Sequence, residues 1–197
     1  SIEMNLFRFP NFIKEVFVDS DTDLAILSGA TFSNGNPLPN DYLFNVTEAV
    51  NSVADAKVLF GNYVVNPTID GWLKRCKTEA PLFKPKSWKL FPVGDPLSVS
   101  GKPWSLDDEK LMYPFYELAM QLGIKTICVH KGLTPKNYES QHPLNWKAAN
   151  VDDLPKVAKD WPELKFVIFH SALRPFASDN CDEELRSFRD KNYIRWT

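Results

Sequence analysis

Apolar residues fall along this chain in short unbroken runs, separated by stretches where they return every three or four positions. Two of the runs, Lys125-Thr-Ile-Cys-Val-His130 and Lys165-Phe-Val-Ile-Phe-His170, are apolar at almost every position, and each ends on a histidine. A run of that kind suits a strand buried on both faces, as in a parallel sheet. Three more runs, at 24–28, 57–64 and 87–91, read the same way. The intervening stretches have the spacing of helices with one inward face. Segment 10–17 places Phe12, Ile13, Val16 and Phe17 on such a face. A helix from about Asn40 turns Leu43, Val46, Val50 and Val53 inward, and a weaker one turns Ile69, Leu73, Cys76 and Ala80 inward. The clearest period belongs to Leu111, Met112, Phe115, Leu118, Ala119 and Leu122. Before it, Ser105-Leu-Asp-Asp108 reads as a capping-box variant. Pro114 predicts a kink, and Gly123 predicts the stop. Leu154, Val157, Ala158 and Trp161 predict a short helix ahead of the last strand, and Glu183, Leu185 and Phe188 a final helix. Segments 92–103 and 131–150 follow neither pattern. The second is a loop of about twenty residues, and structureless loops of that length tend to be functional or mobile.

The strand centres recur every thirty to forty residues or so, with a helix in each gap, which is the rhythm of repeated βα units and a parallel sheet. Five parallel strands with helices on the outside are therefore expected. A (β/α)8 barrel and an open doubly wound sheet share this rhythm. No G-x-G-x-x-G or G-x-x-x-x-G-K-[ST] follows any run, which weighs against nucleotide-binding open sheets. Histidines at successive strand ends weigh towards the barrel, whose chemistry sits at the carboxyl ends of its strands.

Composition narrows the class. With 197 residues, 44% of them hydrophobic and 24% charged, the chain suits one ordinary globular domain with its own core. The net charge of -2, without a basic stripe interleaved with aromatics, argues against a nucleic-acid surface. No apolar run reaches the roughly 18 residues of a membrane helix, and no secretory signal is visible. Cys76, Cys128 and Cys181 are odd in number and widely spaced, so they form neither a disulfide framework nor a zinc knuckle and fit a reducing, cytoplasmic setting. His142, beside Gln141 and Pro143, reads as a solvated loop residue. For His130 and His170 the residues alone leave two readings open: a functional imidazole, or a histidine that caps its strand and bonds to a loop.

Ile124-Lys-Thr-Ile-Cys-Val-His-Lys-Gly132, Trp161-Pro-Glu-Leu-Lys-Phe-Val-Ile-Phe-His-Ser-Ala-Leu-Arg-Pro175 and Ser87-Trp-Lys-Leu-Phe-Pro-Val-Gly-Asp95 resemble the amidohydrolase-related family of metal-dependent hydrolases. The branch they resemble contains aminocarboxymuconate semialdehyde decarboxylase and the resorcylate-type decarboxylases. The resemblance implies a (β/α)8 barrel around a divalent metal, usually zinc, with the five runs as barrel strands 2 to 6. It implies that His130 is a metal ligand and that His170 is the catalytic acid/base or a second-metal ligand, proton transfer being the expected role. It also offers Lys89 and Arg174 as substrate-binding residues. Some relatives carboxylate a lysine on the strand of Lys89, whereas a lysine snorkelling to the barrel mouth is the plainer expectation. Arg174 has the fork that grips a carboxylate bidentately, or it pairs with an acid such as Asp95, which reads as a turn residue.

The sequence departs from the family pattern in having no His-x-His and no strand after His170 to present a late aspartate. Both are expected before Ser1 and after Thr197, as parts of a longer polypeptide. The resemblance implies a metal-dependent hydrolase or non-oxidative decarboxylase acting on a small carboxylated or cyclic substrate. Neither nucleic acid nor membrane is a partner in this reading, and a homo-oligomer is left open. The rival reading is a metal-free barrel fragment or subunit with a structural or assembly role and no catalysis of its own.

Overall fold

The five apolar runs form one curled sheet in which every neighbouring pair is parallel, in the order β1-β2-β3-β4-β5. The computed structural model describes residues 9–31, 38–94, 102–134 and 138–173. Arg174, Asp95, Cys181 and the helix expected through Glu183, Leu185 and Phe188 lie outside the described residues. The strands are β1 (Ala25–Leu27), β2 (Leu59–Val65), β3 (Ser87–Leu90), β4 (Thr126–His130) and β5 (Lys165–Phe169). The helices are α1 (Phe9–Ile13), which runs on into a π-helical turn at Lys14–Val18, then α2 (Asn40–Ala54), α3 (Trp72–Phe83) and α4 (Glu109–Gln121). After them come α5 (Tyr138–Gln141), α6 (Pro143–Ala149) and α7 (Leu154–Asp160). No helix among the described residues is long and apolar enough to cross a membrane.

Alternation along each strand, combined with the register, sorts the side chains into two faces. Tyr63 pairs with Trp88, and Trp88 with Ile127, so these residues share a face with Val65, Leu90 and Val129. That face carries the main core, closed by Cys76 and Ala80 of α3, by Met112, Phe115, Tyr116 and Ala119 of α4, and by Val157 of α7. Trp88 is its centre. Its ring meets Tyr63 and Phe115 edge-on at 5.5 and 5.1 Å, and its Nε1 donates to the Ile124 carbonyl at 2.9 Å. Each apolar side chain fully buried there stabilises the fold by roughly 1.5–3 kcal/mol. A second cluster, with Val46 and Val50 of α2 on Leu59, extends the helical layer over β1 and β2.

Several inward assignments shift. Val53 is 78% exposed and Ile69 45% exposed, while Thr47 is buried and returns its hydroxyl to the Leu43 carbonyl at 2.8 Å. The cap of α4 is Asp108, not Ser105: its carboxylate accepts from the Lys110 and Leu111 amides at 3.1 Å, a contribution of about 1 kcal/mol. Gly123 ends that helix as expected, in the left-handed region at φ 70°.

Segment 131–150 is not a structureless loop. It holds α5 and α6, whose Tyr138, Trp146, Ala148 and Ala149 bury against Val93, and Asn145 donates to the Val93 carbonyl at 3.0 Å. The strands also differ in burial. β3 is buried throughout, whereas β1 and β5, the sheet's outer strands, leave Ile26 56% and Val167 43% exposed. The expectation that every run is buried on both faces fails there, because an outer strand has a neighbour on one side only.

Candidate functional site

The face of the sheet turned away from the helices carries the polar residues. By register it takes Asn62 from β2, Ser87 and Lys89 from β3, Cys128 and His130 from β4, and Val167 and Phe169 from β5. Asn62, Ser87, Lys89 and Cys128 are all buried, and the Ser87 hydroxyl donates to Asn62 Oδ1. Ser87 opens β3 with Asn62 beside it, Lys89 and Cys128 lie side by side two residues further along, and His130 closes β4 at the carboxyl end of the same face.

His130 is the last residue of β4, and His170 is the first after β5. Their rings meet: His170 Nε2 lies 3.1 Å from His130 Nδ1, with ring centroids 4.5 Å apart at 67°. One ring donates and the other accepts, the assignment depending on tautomer. His130 also stacks on Phe91 at 5.4 Å. Burial, then the neighbouring His170 and Lys89, push the His130 pKa down to about 4, partly offset by a hydrogen bond to the Gly132 backbone. His170 is exposed, and its pKa is lowered by partial burial and by the Lys89 charge. Both rings are thus held neutral at pH 7, the state in which imidazole offers a lone pair to a metal or a proton.

The turn that presents His170 is strained. His170, Ser171 and Ala172 have φ of 63°, 49° and 53°, three successive non-glycine residues in the left-handed region. The turn is held by the loop after β4. The Leu133 amide donates to the Leu173 carbonyl at 2.6 Å, and a Cβ on Gly132 would stand 2.3 Å from the Ala172 carbonyl carbon. Gly132, at φ 75°, is therefore required for the two turns to touch and so for the two rings to meet.

Lys89 does not snorkel. It is 2% exposed, and its Nζ has no hydrogen-bond partner among the described residues. The amine lies over the Phe169 ring at 3.4 Å from the centroid and beside Phe91 at 4.8 Å. The two rings close over it from β5 and from the end of β3, so it stops short of solvent. Burial pushes its pKa down to about 8.

Sequence reasoning passed over Lys131. Its side chain is fully buried, and Nζ donates to both carboxylate oxygens of Asp153 and to the Ala148 carbonyl, all at 2.9 Å. Asp153 further accepts from the Leu106 amide at 2.9 Å. It precedes α7 but makes no cap there, because its carboxylate turns to Lys131 instead. This ion pair ties the residue after His130 to the start of α7 and to the entry of α4. Phe91 and Phe169, the flanking rings, were likewise not singled out. Their position two residues on from Lys89, and one before His170, was the available signal. His142 is half-buried at the start of α6, with its ring 5.1 Å from Tyr138, and is neither a free loop residue nor part of the histidine pair.

Tetrahedral zinc with nitrogen ligands at about 2.0–2.1 Å spaces two of them by roughly 3.3 Å. The 3.1 Å between the two rings is close to that span, but here it is a hydrogen bond in which each nitrogen points at the other, so as arranged the pair does not converge on an ion. No group of three or more His, Cys, Asp or Glu residues suited to an ion occurs among the described residues. Compared with known proteins, the chain matches no family model, no curated protein and no solved structure.

Proposed function

We propose that the chain is the strand 2 to strand 6 part of an amidohydrolase-type (β/α)8 barrel. Its activity would be that of a metal-dependent hydrolase or non-oxidative decarboxylase working on a small carboxylated or cyclic substrate. The observation that carries this reading is the contact of His130 and His170 at the carboxyl ends of neighbouring parallel strands. Two neutral imidazoles, one shielded and one open to solvent, suit a division of labour. His130, fixed between Phe91 and His170, would hold the ion. A divalent ion, zinc first, would supply Lewis acidity towards a bound water or a substrate carboxylate. His170, facing solvent, would receive a proton and return it to the reacting carbon or leaving group. Lys89, facing the same side of the sheet, and Arg174 would hold the substrate.

The test is metal content with a ring-resolved readout. A full-length protein carrying the segments expected to supply the His-x-His pair and the late aspartate should retain a divalent ion in stoichiometric amount by plasma mass spectrometry. Adding zinc to chelated protein should shift the imidazole NMR signals of His130. His130→Ala should lose the ion, and His170→Gln should keep it. Unmoved imidazole signals at saturating zinc, with no ion retained, would overturn the metal assignment.

A further inference from the structure

Two lysines are buried among the described residues, and their surroundings are opposite. Lys131 has three acceptor contacts to its ammonium. Lys89 has none among the described residues: its amine is enclosed by two aromatic rings, on the polar face of the sheet and within electrostatic reach of both histidines. A buried ammonium without an acceptor is disfavoured against the neutral amine. A neutral amine in an apolar pocket is the form of lysine that attacks carbonyl carbons.

We propose that Lys89 is a covalent capture site, where its amine condenses with the carbonyl of a small aldehyde or ketone substrate. The lone pair of Nζ attacks the carbonyl carbon and a carbinolamine forms. The carbon–oxygen bond then breaks and a C=N bond to Nζ replaces it. Both amine hydrogens leave with the oxygen as water, and nothing is oxidised or reduced. Hydrolysis reverses the step and frees the lysine. What encloses the amine is two side chains, the rings of Phe91 and Phe169. Phe169 is half-buried on β5, and its ring has to swing aside for a carbonyl to reach Nζ. Burial, which pushes the amine down to about 8 with Cys128 pulling the other way, gives it a larger neutral fraction near neutrality than an exposed lysine has. The proposal goes beyond the metal reading above and does not depend on it.

The test is reductive trapping on the full chain, stripped of metal with a chelator so that an ion at His130 plays no part. The protein is incubated with pyruvate and sodium cyanoborohydride at neutral pH, digested, and mapped lysine by lysine by mass spectrometry. The expected result is a reduced adduct on Lys89 at about ten-fold or greater occupancy than on exposed lysines such as Lys57 and Lys84. Lys89→Arg should lose that adduct and leave the exposed lysines labelled as before. Label spread over exposed lysines, with the Lys89 peptide unmodified in the wild-type chain, would overturn the proposal and leave Lys89 as a cation held by two aromatic faces. The wild-type map alone decides the matter, whether or not the variant folds.

Discussion

Strands β4 and β5 have nearly the same text, a lysine or threonine followed by apolar residues and a closing histidine, and live in different surroundings. β4 lies between β3 and β5 and buries Ile127, Cys128 and Val129. Among the described residues β5 has a neighbour on one side only, and it leaves Lys165 and Val167 exposed. The two histidines inherit the difference. His130 is wedged between Phe91 and His170 and resists protonation, whereas His170 reaches solvent. His130 closes β4 itself, whereas His170 stands one residue past β5 in the left-handed turn, so one is a shielded ring and the other an accessible one. Position in the sheet and the turn after β5 together make that difference.

The comparison breaks most sharply at Lys131, next to His130. Lys131→Met leaves Asp153 buried without its partner and should cost about 3–5 kcal/mol in urea unfolding. The double variant Lys131→Met with Asp153→Leu should recover much of that loss. If the single variant costs no more than a surface change, the pair does not anchor the β4 end. The corresponding residue after His170, Ser171, has no such anchor among the described residues.

Acid should separate the two rings next. In metal-free protein His130 has a folded pKa near 4, below the unfolded value of about 6.5. Between those values the unfolded chain binds the extra proton, so stability rises with pH. The contribution is complete above about pH 6.5 and is lost as pH falls towards 4, on the order of 3 kcal/mol in all. His130→Phe should flatten this part of the stability profile. His170 should titrate above His130 when the ring protons are followed by NMR, and the reverse order would remove the contrast drawn here.

Truncation of matched valines is a milder test. Val129→Ala, in the core, should cost about 2 kcal/mol, and Val167→Ala, on the outer strand, less than about 0.5 kcal/mol. Equal costs in denaturant titrations would mean that something covers β5 in solution. The smallest effect belongs to Lys89→Met, which removes a positive charge felt by both rings. Both histidine pKa values should rise, with His130 still the lower because burial is its larger cause. An unchanged pair of titration curves would show that the amine is already neutral.

Much of this fold was legible along the chain. The five apolar runs are the five strands, because continuous β-branched and aromatic runs bounded by turns have few other homes in an α/β fold. The adjacency of His130 and His170 followed from the βα rhythm, which makes consecutive strands neighbours. The rest depended on contacts distant in sequence. Lys89 and Lys131 cannot be told apart by their apolar neighbours. One is paired because α7 brings Asp153 to it across 22 residues, and the other is not. The helices within 131–150 are short, and Trp146, Ala148 and Ala149 reveal an inward face only once Val93 is there to meet it. Val167 reads as a core residue until the sheet ends beside it.

The left-handed turn at His170, Ser171 and Ala172 sets a direction for sequence drift. Each non-glycine residue there costs about 1–2 kcal/mol that glycine would not. Selection for stability alone would therefore fill the turn with glycine, and the imidazole would be among the first side chains erased. A library of this protein sorted for thermal tolerance and sequenced at 170–172 would trace that gradient, and any selection that holds histidine at 170 against it is acting on something other than folding.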